Sequence, residues 1–140
     1  MTDPLTPEAR SAHMRRIRKR DTRPELVVRR IVHALGLRFR LHRRDLPGTP
    51  DLVLPRHRKA ILVHGCFWHQ HEGCTFSRQP KSRLDYWLPK LARNVERDRA
   101  SRAALEAAGW RCLVIWECET KDTERLGTTL HDFLLGGEHL

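Results

Sequence analysis

Apolar positions fall into two rhythms along the chain, one of helical period and one of short unbroken runs. Leu26, Val27, Ile31, Ala34 and Leu35 repeat at helical spacing behind Thr22-Arg23-Pro24-Glu25, which has capping-box spacing, and Gly36 follows as a stop. A buried helix is expected there. Upstream, Thr6-Pro7-Glu8 opens another helix running towards Arg20, whose face is mostly basic. The runs PDLVLP (50–55) and KAILVHG (59–65) flank the polar stretch PRHRK, a β-hairpin pattern. With the turn centred on His57, Asp51 faces Val63 across the ladder. Ser82 to Ala108 is helical in composition with an interruption at Pro89, Gly109 ends it, and a strand from Trp110 to Trp116 follows. A last helix spans about Asp122 to Leu134. Helices alternating with paired strands give an α/β or mixed α+β fold around one central sheet.

Length and charge narrow what such a fold does. The 140 residues suit one domain, 1–140, and 27 Lys and Arg against 17 Asp and Glu leave a net charge of +10. The basic residues run through 15–44 and 78–102 rather than forming a tail, the footprint of a protein that meets a polyanion, nucleic acid above all. The longest apolar runs, AILV at 60–63 and CLVIW at 112–116, are far too short to span a membrane, and the first residues lack a signal-peptide pattern. A soluble, cytoplasmic protein with no membrane partner is expected, and in such a compartment four cysteines argue for metal ligation over disulfides.

The densest chemistry lies in HGCFWHQHEGC, residues 64–74. Cys66, His71 and Cys74 have the spacing C-x4-H-x2-C, which lets one loop wrap three ligands around a tetrahedral ion, zinc being the natural choice. Cys112 and Cys118 are six residues apart, about 20 Å along a strand, so one of them can join. Cys118, at the strand's end where loops gather, is the expected fourth ligand. His64 and His69 are then left over, and the strand-end position of His64 puts it beside Asp51. A carboxylate such as Asp51 can hold Mg2+, and a neutral imidazole can take a proton from an attacking water, the needs of phosphodiester hydrolysis. His69 is the better base, with Asp98 to orient it. Glu25 has two readings, the reciprocal half of the Thr22 capping box or a contact to a metal-bound water. Phe67 and Trp68 are adjacent on a loop and cannot both enter one core, so at least one should be exposed. Trp110 and Trp116 are expected to be buried.

Across nearly its whole length the chain resembles the very short patch repair (Vsr-type) endonucleases, bacterial enzymes that nick DNA beside a T:G mismatch. The blocks that carry the resemblance are RSAHMR (10–15), RDTRPE (20–25), LPGTPDLV (46–53), HGCFWHQH (64–71), KLARNVERD (90–98) and GWRCLVIWEC (109–118). The resemblance implies a restriction-endonuclease-like fold with a zinc-stapled loop. It implies a Mg2+-dependent cut of one strand 5′ to the mispaired T in CT(A/T)GG-type sites, starting repair after deamination of 5-methylcytosine. By position it makes Asp51 the magnesium ligand, with the Val63 carbonyl as a further ligand, and His69 the base paired with Asp98. Glu25 and His64 become auxiliary active-site residues. Phe67, Trp68 and Trp87 match rings that intercalate from the major groove, and Met14 and Ile17 match side chains of a DNA-contacting N-terminal helix (1–20) that press in from the minor groove. A nucleoid-associated monomer is expected, with mismatch-repair proteins as candidate partners. Val63 stands where threonine is the family's expected residue, a change that is silent if only the carbonyl binds metal. The rival from another class is a zinc-stapled DNA-binding module without nuclease activity, which leaves Asp51, His64 and His69 idle.

Overall fold

The computed structural model describes residues 22–74 and 82–136; the expected N-terminal helix, with Met14 and Ile17, lies outside them. Helix α1 spans Arg23–Ala34, and the Thr22 hydroxyl accepts the Glu25 amide at 3.4 Å, a cap worth about 1 kcal/mol. Gly36 ends it with φ +83°, a conformation that a side chain would strain. Strands β1 (Arg40–Leu41), β2 (Leu52–Leu54), β3 (Lys59–His64) and β4 (Arg111–Trp116) form one sheet in that order. The first two pairings are antiparallel and β3–β4 is parallel, which requires a crossover. Helix α2, Leu84–Ala107, makes that crossover, and α3, Thr123–Leu135, follows the sheet with Asp122 as its N-cap.

Alternation along the strands divides the core in two. Leu52, Leu54, Ile61 and Ile115 face α1 and α3, packing with Val28, Val32, Leu126, Leu130 and Leu134. Val53, Ala60 and Leu62 turn the other way with Leu105 and Trp110. Each fully buried Val, Leu or Ile adds roughly 1.5–3 kcal/mol of hydrophobic stabilisation, so the period of two in β2 and β3 fixes which face each residue takes. The sheet is thus mixed and covered by helices on both faces, as an α/β pattern requires.

Two expectations need correction. The hairpin pairs Leu52 with Ile61 and Leu54 with Lys59, so its register is one residue away from a turn centred on His57. The cause is a single 3-10 turn at Pro55–His57 closed by Arg58 in the left-handed region at φ 55°. Pro89 does not interrupt α2, which runs through it. It sits in the second turn, where the carbonyl deprived of its donor belongs to exposed Asp85 and is open to water.

The loop before β2 is held by close approach. Gly48 has φ +73°, and a Cβ there would meet that of Ser101 on α2 at 2.8 Å. Only glycine lets this loop lie against α2 and deliver Asp51 to the head of β2. Among the described residues no helix is long and apolar enough to cross a membrane.

Candidate active site and metal centre

Strand β3 outruns β2, so its last residues lose a backbone partner on that side. The Asp51 carboxylate takes over: its Oδ2 accepts the Val63 amide at 2.7 Å. That leaves Oδ1 for the cleft beside it. Burial, opposed by the Val63 amide and reinforced by the Glu25 charge, pushes the Asp51 carboxyl up from the ordinary carboxylate range to about 7. A buried carboxylate pair of this kind calls for a cation, and the oxygen donors suit a hard divalent ion such as Mg2+.

Glu25 lines the same cleft. Its side chain is only 2 % exposed, with the carboxylate against His42 Nε2 at 2.7 Å and paired with Arg29. Thr22 still caps α1. His42 itself was not singled out by sequence, where it is one histidine in a basic run. The structure brings it to the site through a left-handed backbone, φ 48°, and an amide that donates to the Asp51 carbonyl at 3.1 Å.

His69 Nδ1 lies 2.5 Å from Asp98 Oδ2 on α2, which fixes the ring and leaves Nε2 for proton transfer. His64 groups with these two rather than with Asp51: its ring stacks on His69 at 3.9 Å and 7°. The register of the hairpin places Asp51 one residue farther from His64 than expected. Burial, then the neighbouring His69, lowers the His64 imidazole to about 4, so the ring is neutral. Among the described residues its Nδ1 is buried without a hydrogen-bond partner. Asp51, Glu25, His42, Val63, His69 and Asp98 line one cleft of about 800 Å³.

Behind the cleft, Cys66, His71, Cys74 and Cys118 offer ligand atoms that all lie within 4.8 Å of one another. A tetrahedron with metal–sulfur bonds of about 2.3 Å has edges of about 3.8 Å, so three sulfurs and one nitrogen at this spacing fit zinc. His71 turns Nδ1 to Cys66 and Cys118, at 3.7 and 3.5 Å, and stacks on Trp116 at 4.1 Å. Trp116 is therefore half-buried as a platform for this ring, whereas Trp110 is buried as expected. Cys112, on β4, packs against the core beneath α2 and stays outside the cluster. Burial pushes the Cys66 thiol up to about 12. Two contacts that the sequence did not announce hold the loop: Asn94 donates to the Trp68 carbonyl at 3.2 Å, and Glu117 accepts the Cys66 amide at 3.3 Å.

The same loop presents rings beside the cleft. Phe67, Trp68 and Trp87 form a half-buried triangle with centroids 5.1 to 5.8 Å apart, and Tyr86 joins at 5.0 Å from Trp87. Leu84, Tyr86 and Leu88 are exposed around it. An acidic and imidazole cleft, an aromatic cluster at its edge and a strongly basic chain are together features that suit a nuclease. The chain belongs to one family of nucleases: residues 2–75 match the family described as DNA mismatch endonuclease Vsr. It is 53 % identical over 134 residues to the type II nicking enzyme V.XorIIP of Xanthomonas oryzae, covering 96 % of this chain and 98 % of that one. It is 41 % identical over 126 residues to the DNA mismatch endonuclease Vsr of Escherichia coli, covering 90 % and 80 %. The type II nicking enzyme V.NmeAIP of Neisseria meningitidis is 39 % identical over 122 residues.

Proposed function

We propose that this protein nicks one strand of double-stranded DNA 5′ to the mispaired T of a T:G mismatch, in CT(A/T)GG-type sites, with Mg2+ as catalytic ion and zinc as structural ion. The observation that carries the reading is the meeting, in one cleft, of Asp51 with the His69–Asp98 pair, beside the Phe67–Trp68–Trp87 rings, of which Trp68 lines the cleft. Membership in the mismatch endonuclease family supports it.

Asp51 Oδ1 and the Val63 carbonyl would hold Mg2+, which supplies charge stabilisation for the scissile phosphate and the leaving oxygen. Asp98 fixes His69 with Nε2 towards the cleft, where it accepts the proton of the attacking water. His64, neutral and stacked on His69, holds that ring's plane without adding charge. Glu25 adds negative charge beside Asp51 and so favours the ion. Cys66, His71, Cys74 and Cys118 close a structural zinc site with no open position, so hydrolysis belongs to the cleft. Zinc held there would fix the loop that carries Phe67 and Trp68, the rings proposed to wedge into the stack.

A binding module without catalysis has no use for the His69–Asp98 couple. Asp51→Ala and His69→Ala leave the basic surface intact; both should bind duplex DNA like the parent and nick T:G substrate at least about 100-fold more slowly, the usual scale for losing a general base. Parental nicking by either variant refutes the assignment.

A further inference from the structure

His42 is the one imidazole of the cleft to which the chemistry above gives no task. Its place is well defined. Its backbone takes the left-handed region and its amide donates to the Asp51 carbonyl, so the residue is tied to the aspartate it faces. Its Nε2 is 2.7 Å from Glu25 Oε2 and 4.0 Å from Asp51 Oδ1. Asp51 Oδ2 is engaged by the Val63 amide, so Oδ1 is the oxygen turned to this cluster. One ligand atom from each of Glu25, His42 and Asp51 lies within 4.8 Å of the others.

Those separations are the edges of a coordination polyhedron. Metal–ligand bonds of about 2.1 Å in an octahedron put adjacent ligands about 3.0 Å apart and opposite ones about 4.2 Å apart. The 2.7 and 4.0 Å distances from His42 fall on those two values within a few tenths of an ångström. Arg29 pairs with the same Glu25 oxygen and offsets one of the two carboxylate charges, so one divalent ion is enough to neutralise the site. With its proton on Nδ1, the imidazole presents a lone pair at Nε2.

We infer that His42 is a nitrogen ligand of the cleft's divalent ion, and that with Glu25 Oε2 and Asp51 Oδ1 it makes the site hold Mn2+ more tightly than Mg2+. The inference rests on Asp51 being the anchor of that ion. Mg2+ prefers an all-oxygen shell and keeps most of its water, whereas first-row transition ions gain from an imidazole. A cleft with Asp51, the Val63 carbonyl and water as its only ligands has no nitrogen with which to favour Mn2+.

Mn2+ is also the right probe, because oxygen and nitrogen ligands suit it and a thiolate-rich cluster does not. The zinc-loaded, full-length protein is titrated with Mn2+ by electron paramagnetic resonance, with Mg2+ as competitor. Mn2+ should bind about tenfold or more tightly than Mg2+, the scale on which one added metal contact changes affinity. Pulsed measurements should show coupling of the bound Mn2+ to a nitrogen-14 nucleus. His42→Gln should abolish the coupling and the preference, and Asp51→Ala should lose both ions. Should His42→Gln fail to fold, persistence of the coupling in His69→Ala supports His42, and its loss there overturns the inference. Bound Mn2+ without nitrogen coupling, or coupling that persists in His42→Gln, overturns the role of His42 and leaves Asp51 as anchor. Parental binding of both ions by Asp51→Ala would remove the anchor itself.

Discussion

Asp51 gives one oxygen to the end of a strand and keeps the other for the cleft, and its proton affinity follows from that position. Burial and Glu25 raise its carboxyl to about 7. A proton held that tightly competes with the ion. As pH falls through about 7 the carboxyl protonates, so the apparent Mg2+ affinity should weaken, approaching tenfold per pH unit, because ligation displaces the proton. Nicking at low Mg2+ should therefore decline below neutrality and be restored by more Mg2+. A pH series of Mg2+ binding checks this; an affinity that does not change across neutrality contradicts the role of Asp51. His64 adds no limb near neutrality, since its imidazole is neutral down to about 4.

At the scale of elements, the loop 64–74 joins β3 to the chemistry of the whole site. Stripping zinc should unfold it, because the free energy of binding the ion at such a site is part of the free energy of folding. Cys118→Ser should lose the ion and much of the thermal stability, whereas Cys112→Ser, lying against the core beneath α2, should keep the ion. Elemental analysis of the two proteins, with a thermal melt, decides it. The rings on the same loop carry a separate expectation. Opening a stack costs a few kcal/mol per step and costs less at a wobble pair, so Phe67→Ala with Trp68→Ala should cut nicking of T:G substrate far more than salt-sensitive binding to matched duplex. Equal losses in both assays would refute the wedge.

Sequence made some of these elements plain and hid others for physical reasons. The Cys66, His71 and Cys74 spacing and the strand-end position of Cys118 announce a cluster, because ligand types and reach are local properties. The helix from Arg23 was legible from its cap and period, and the expected bounds of the final helix fall within a residue of those observed. Hairpin register was not, since a 3-10 turn and a residue-centred turn differ by one position in a stretch as polar as PRHRK. His42 was hidden because only the left-handed backbone there turns it from a basic surface run into the cleft. Pro89 misled because a proline near the start of a helix costs less than one in its middle.

At the scale of the whole molecule, the net charge of +10 gives affinity for any DNA, and that affinity carries no sequence information. On the proposed function, selectivity comes from the site, where rings would test how easily a pair unstacks beside the cleft proposed to cut. The sheet serves this by setting Asp51 at the head of β2 and His64 at the end of β3, while α2 brings Asp98 across from the opposite face. The central claim is that wedge and cutting centre act together on a mismatch. Its most direct test is the product map of an end-labelled duplex holding one T:G pair in a CT(A/T)GG-type site, incubated with Mg2+, with chelator, and beside its fully matched counterpart. The account predicts one nick, 5′ to the mispaired T, only with Mg2+, and at least about 100-fold faster than on matched DNA, as a difference of a few kcal/mol in unstacking allows. Cleavage of matched and mismatched duplex at equal rates, or binding with no nick in the presence of Mg2+, would contradict it.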